Sequence, residues 1–124
     1  MFGFLCNCCR KKIIEQEYVN ACKNGLINIM KLYLQENPRR DVNPDLLLCT
    51  EYGQKDAIDY LITEQEAILL DPAVKIASEK GYLQLVDLLL KKGANPVVAM
   101  RYAKSNNIIS LIHRYREKIE VVKP

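Results

Sequence analysis

Three cysteines, Cys6, Cys8 and Cys9, stand within four positions of the opening MFGFLCNCCRKK. Apolar Phe2, Phe4 and Leu5 precede them, and Arg10, Lys11 and Lys12 follow. Three chemistries suit such a cluster. A structural zinc ion asks for four thiolate or imidazole ligands, usually in spaced pairs. Here there are three, two of them adjacent and none near a histidine, so no metal and no cofactor is expected. S-acylation asks for clustered cysteines, and two acyl chains beside a basic patch anchor a chain stably to a membrane. N-myristoylation is excluded, because Phe2 stands where that modification needs glycine. In the third reading Met1 to Leu5 cover an open apolar face as a lid, or stay a simple tail, and the cysteines are small hydrophobes. Acylation and the lid both remain open.

Catalytic constellations are absent. The chain has one histidine, His113, and no G-x-S-x-G stretch, so neither a Ser-His-Asp nor a Cys-His centre can be assembled convincingly. The glycines do not form a phosphate-cradling loop. The acidic pairs Glu15/Glu17 and Glu64/Glu66 fall at helix ends, where solvated carboxylates are the ordinary case. The expectation is that this is not an enzyme.

Composition narrows the class further. The 124 residues make one domain or one short array. The net charge is +3. Arg10, Lys11 and Lys12 supply all of it, since the chain from residue 13 onward has 15 basic and 15 acidic residues. Without a basic stripe across the body, nucleic acid is not an expected partner. Five cysteines, two of them (Cys22 and Cys49) inside apolar helical patterns, suit a reducing cytoplasm better than a disulfide framework. No apolar run is long enough to span a bilayer. The opening does not read as a secretory signal, because its apolar stretch is short and its charge comes afterwards.

The elements that must position any surface recur along the chain. Residues 77–90, ASEKGYLQLVDLLL, align with CTEYGQKDAIDYLI at 49–62 and ACKNGLINIMKLYL at 21–34, each 28 residues apart. AKSNNIISLIHRYR at 103–116 follows after 26. Ala21, Cys49, Ala77 and Ala103 fill a small position. Gly25, Gly53 and Gly81 fill a turn, with Asn107 in their place in the last copy, since asparagine tolerates a left-handed backbone. Asn43-Pro44, Asp71-Pro72 and Asn95-Pro96 each set a capping side chain before proline, a helix-start signal. A fixed period of this size marks a stack of helix pairs, whose members cannot bury their apolar faces alone. Four unrelated helix pairs in an ordinary bundle are the competing reading.

The stretch ASEKGYLQLVDLLLKKGANP, residues 77–96, resembles the second half of an ankyrin repeat: a small pair (Ala77, Ser78), a turn glycine (Gly81), a leucine-rich helix and Gly93-Ala94-Asn95. The other copies match only the small residue, the turn and the second helix. The family's Thr-Pro-Leu-His opening is missing, with Pro72 to Lys75 in its place. The spacing falls short of the usual 33 residues or so, so the finger loops must be reduced. Worn repeats of this kind resemble those of large DNA viruses and intracellular bacteria, which implies the host cytoplasm as the working compartment.

The expected architecture is therefore an all-α short solenoid of ankyrin-like helix-turn-helix repeats. Copies are expected at 15–42, 43–70, 71–94 and 95–118, after an extension over 1–14 and before a tail over 119–124. The resemblance implies that the two residues before each turn line a concave, protein-binding face: Lys23 and Asn24, Glu51 and Tyr52, Glu79 and Lys80, Ser105 and Asn106. Tyr52 is the expected hot spot, since tyrosine gives large contact area at low entropic cost. Arg39-Arg40-Asp41 is a second candidate edge. His113 is expected on the outer surface of a polar end repeat. The expected function is protein–protein interaction with an unidentified partner. The alternatives are a membrane-tethered adaptor acylated at Cys6, Cys8 and Cys9, and a structural fragment capping a larger assembly.

Overall fold

The computed structural model describes the backbone of residues 12–122 and side chains through residue 116. Cys6, Cys8 and Cys9 lie outside the described residues. The described residues form eight α-helices: α1 (Glu15–Asn24), α2 (Ile27–Glu36), α3 (Asn43–Glu51), α4 (Lys55–Thr63), α5 (Leu70–Lys80), α6 (Leu83–Lys91), α7 (Pro96–Tyr102) and α8 (Asn106–Val122). No strand occurs among the described residues. The four expected copies each hold one pair. First helices α1, α3, α5 and α7 pack in sequence as one row, and second helices α2, α4, α6 and α8 as another.

The turns explain the pairing. Gly25, Gly53 and Gly81 have φ of 71°, 70° and 79°, a left-handed conformation that costs a residue with a Cβ roughly 1–2 kcal/mol. After each one, the next amide reaches back to close the first helix: Leu26 to Ala21, Gln54 to Cys49 and Tyr82 to Ala77, at 2.9–3.0 Å. The small residues that accept these bonds, Ala21, Cys49 and Ala77, are wholly buried between neighbouring pairs. Leu46, Ile58, Leu61, Val74, Val86, Leu89, Ile108 and Ile112 fill the space between rows. Cys22 and Cys49 are unlinked thiols; the hydrogen bond between them and their burial push the Cys49 thiol up.

Polar bonds cross each join at equivalent places. Gln54, just after Gly53, donates its Nε2 to the carbonyl of Lys23 at 2.8 Å. Tyr82, just after Gly81, donates its hydroxyl to the carbonyl of Glu51 at 3.2 Å. Both acceptors lie two residues before the preceding turn glycine. At the last join Tyr115 donates to Asp87 Oδ1 at 2.6 Å. Lys92 adds an ion pair to Asp59 at 3.3 Å.

Several expectations need correction. Asn43 and Asp71 do not cap their own helices. Asn43 Oδ1 accepts from the amides of Ile68 and Leu69 (2.8 and 3.2 Å), and Asp71 Oδ1 from the amide of Asn95 (2.8 Å). With finger loops this short, the start of the next pair lies within side-chain reach, so the cap becomes a tie between repeats. Only Asn95 caps locally, accepting from Val97 at 2.9 Å. Asn107 is not a turn residue: it lies inside α8, and the fourth turn is the extended stretch 103–105. Of the expected tail, residues 119–122 belong to α8, which runs on to Val122 with neither glycine nor proline inside it.

Two predictions follow from these joins. A Cβ on Gly25 would sit 2.7 Å from Gln54 Oε1, whereas one on Gly81 meets open space. Gly25→Ala is therefore expected to cost the left-handed strain plus the Gln54–Lys23 hydrogen bond, about 0.5–1.5 kcal/mol more than Gly81→Ala. Urea unfolding of the two variants measures the difference. Burial and its bond to Asp87 push the Tyr115 hydroxyl up to about 12. A value raised on folding means that this stabilisation is complete below about pH 10 and fades as pH climbs towards 12. Tyr115→Phe should shallow the alkaline loss of stability in melts run between those limits.

Candidate partner-binding face

The C-terminal ends of α1, α3 and α5 carry the residues before the turns, and they lie side by side along one edge of the first-helix row. Asn24, Glu51, Tyr52, Glu79 and Lys80 are exposed, and Lys23 is half-buried. Tyr52 follows α3 as its C-terminal cap, and its amide donates to the carbonyl of Leu48 at 3.2 Å. Its ring is half exposed. The Lys23 ammonium from α1 sits 5.6 Å from the ring centre, a cation–π contact that holds the ring in place without covering it.

The same device recurs two joins later, outside the pairs of residues before the turns. Lys75 of α5 lies 4.9 Å from the ring centre of Tyr102 at the end of α7. Lys75 precedes Glu79 by four residues and so shares its helix face. That spacing is the signal for it in the sequence, although Lys75 stands outside the two-residue window before the glycine. The surface is thus a row of tyrosines and lysines of adjacent helices, interleaved with Glu51 and Glu79.

Ser105 and Asn106 do not continue this row. Ser105 Oγ accepts from the amide of Asn107 at 3.2 Å, so it caps α8, and Asn106 is the first residue of that helix. With a shortened α7 and no glycine, the alignment by small residues places the start of a second helix where earlier copies have the end of a first.

Arg39-Arg40-Asp41 is likewise not the free edge that was expected. Arg40 turns inward and binds Asp45 through two bonds, Nε to Oδ2 and Nη2 to Oδ1, both 2.9 Å. It also reaches Glu15 of α1 at 2.7 Å. Tyr18 of α1 donates its hydroxyl to Asp45 Oδ2 at 2.7 Å. The guanidinium stacks 4.7 Å from the Tyr18 ring centre, and Tyr18 stacks on Tyr33 at 4.5 Å. The bonds to Asp45 hold Arg40 still more firmly in its charged form, against the burial that opposes it. Burial and the bond to Asp45 push the Tyr18 hydroxyl well up. Asp41 caps instead, accepting from the amide of Asn43 at 3.0 Å. Of the triplet, only Arg39 presents a free-standing exposed side chain beside a shallow cleft of about 520 Å³.

Among the described residues no three His, Cys, Asp or Glu side chains gather to hold a metal ion. No described helix is long and apolar enough to cross a membrane. His113 is exposed on α8.

Fold and face together define an all-helical protein of repeated helix pairs. No known family profile matches the sequence, and no solved structure matches it. The chain is similar to a viral protein, Protein MGF 505-3R of African swine fever virus, with 30% identity over 112 residues. That similarity takes in 90% of this chain and 36% of the relative, so the chain spans about a third of the relative's length.

The buried cluster generates a stability prediction. Arg40→Met leaves Asp45, whose side chain is 4% exposed, without its counter-charge, and should cost about 3–5 kcal/mol in urea unfolding. Glu15→Gln, at a side chain 66% exposed, should change stability by no more than about 1 kcal/mol.

Proposed function

We propose that the chain is a non-catalytic, ankyrin-like solenoid that binds a protein partner along the ends of its first helices. Tyr52 is the anchor, Lys23, Glu51, Glu79 and Lys80 give charge complementarity, and Lys75 with Tyr102 extends the same surface. The observation that carries this reading is the held but uncovered ring of Tyr52. An aromatic side chain fixed in advance by Lys23 loses little freedom on binding, which is what a hot spot requires. The mixed signs along the row suit a protein surface of matching charge and not a polyanion. The similarity to a viral protein favours the cytoplasm of an infected cell as the place of action, consistent with a chain whose described cysteines are buried thiols.

Pull-down with the purified chain, followed by titration of each captured protein, identifies the partner. A combined Tyr52→Ala, Lys80→Glu variant should then bind at least tenfold more weakly, about 1.4 kcal/mol, while its melting temperature stays within about 2 °C of the parent. Unchanged affinity would remove the assignment of this face.

A further inference from the structure

In two of the finger loops, the pair of residues ahead of the first helix serves the fold itself. Ahead of α3, Asp41 Oδ1 accepts from the Asn43 amide at 3.0 Å, and Val42 is buried. Ahead of α7, Ala94 is buried, and Asn95 Oδ1 accepts from the Val97 amide at 2.9 Å. Ahead of α5 stand Ile68 and Leu69, which neither cap that helix nor fill the core. Ile68 is 74% exposed and Leu69 38%. Val97, on the next finger, is 52% exposed, and the bond from the Asn95 amide to Asp71 ties the two fingers together. Apolar residues exposed singly are ordinary on a protein surface. Here three stand on two tied fingers.

The patch is fixed from beneath. The amides of Ile68 and Leu69 both donate to Asn43 Oδ1, at 2.8 and 3.2 Å. Ala67, just before them, is buried, and its amide donates to the Leu61 carbonyl at 3.0 Å. To reach this shape Glu66 takes a φ of 57°, the one positive value outside glycine among the described residues. That region strains a residue with a side chain. An apolar pair held in advance gives up little freedom when a partner covers it.

The charges around the patch select its occupant. Glu64, Glu66 and Asp71 are exposed. Glu64 is the C-terminal cap of α4 and Glu66 follows it, where the helix dipole favours cations. These two carboxylates therefore do not serve the helix they end. Among the described residues no ion pair neutralises Glu64, Glu66 or Asp71. Lys75 lies over Tyr102, and Lys92 pairs with Asp59, while Arg39 stands exposed on the preceding finger. We propose that Ile68, Leu69 and Val97 form a second docking edge, for a protein segment that sets apolar side chains between lysines or arginines. The same carboxylates repel a nucleic acid or the anionic surface of a membrane. This edge lies at the starts of the first helices and the Tyr52 face at their ends. The eleven residues of α5 separate Leu69 from Lys80, about 16 Å along the helix.

Fluorescence anisotropy of short labelled peptides, titrated with the full chain at physiological salt, tests this. The first peptide alternates leucine with lysine pairs, the second has glutamate for lysine, and the third has serine for leucine. The first should bind at least about tenfold more tightly than either of the others. Ile68→Ser should weaken its binding at least about tenfold, and Ile68→Leu should retain it. Glu64→Lys should weaken it too, with a flatter salt dependence. The melting temperature of each variant should stay within about 3 °C of the parent, because the altered side chains are exposed. On binding, amide exchange should slow over 66–71 and 95–98 and stay unchanged over 51–53. Equal binding of the three peptides, no binding of the first, or full affinity in Ile68→Ser would overturn the proposal. So would protection centred on 51–53, since the peptide would then occupy the Tyr52 face. A parent that sediments as a dimer and becomes monomeric with Ile68→Ser would overturn it as well, by making a second copy the occupant. Loss of this edge leaves the Tyr52 face standing.

Discussion

The described fold answers to one constraint: a pair of short helices has more apolar surface than it can hide by itself. Its inner face meets its own partner helix, but the faces above and below meet only the neighbouring pairs. The small residues Ala21, Cys49 and Ala77 allow the pairs to approach until nothing but side chains of the two rows separates them. Close approach then creates a second demand, because backbone carbonyls near each turn are brought out of water. Gln54 and Tyr82 meet it at matching positions. The apolar contact and the polar bond are therefore one arrangement, repeated with the period of the sequence.

The first join departs from the others by adding a buried charge. Asp45 is taken almost wholly out of water, and it is tolerated because Arg40, Tyr18 and the stacked ring of Tyr33 surround it with two charge-assisted bonds, a phenolic donor and a cation–π stack. Such a cluster is a weak source of net stability compared with packed hydrocarbon, but it has only one satisfied geometry. Its members come from α1, α2, the following loop and α3. It fixes the orientation of the second pair on the first, while at the later joins leucine and valine dominate.

Much of this was legible from the chain, and what escaped has a physical pattern. Helix pairs and turn glycines could be read because each depends on neighbouring residues in one copy. What could not be read was where a side chain goes once two copies meet. Asn43 and Asp71 have the right type and place to cap their own helices, and only the shortened fingers make the next repeat the nearer donor. Arg40 looks like part of an exposed triplet until Asp45, five residues on, is found to be buried. Asn107 shows the converse error: an alignment matched residue type with the turns, but a helix of seven residues and a three-residue extended link left it no turn to make. The candidate face divides in the same way. Tyr52, Glu51, Glu79 and Lys80 stand where the repeat frame put them, whereas Tyr102 and Lys75 meet only across a join.

This division bears on how a surface of this kind can change without loss of the fold. The bonds that cross the joins at the turns end on the carbonyls of Lys23 and Glu51, not on their side chains. Any residue at those positions would offer the same acceptor. The side chains of Lys23, Glu51 and Tyr52 take no part in those bonds. Stability is carried by the residues just after Gly53 and Gly81 and by the small residues four before each turn glycine; the proposed recognition falls to the two residues just before the glycine. Opposite duties thus fall to adjacent positions of one turn. A stack built this way can keep its joins while the residues it presents are replaced, which is the physical basis for proposing those residues, and not the joins, as a binding surface.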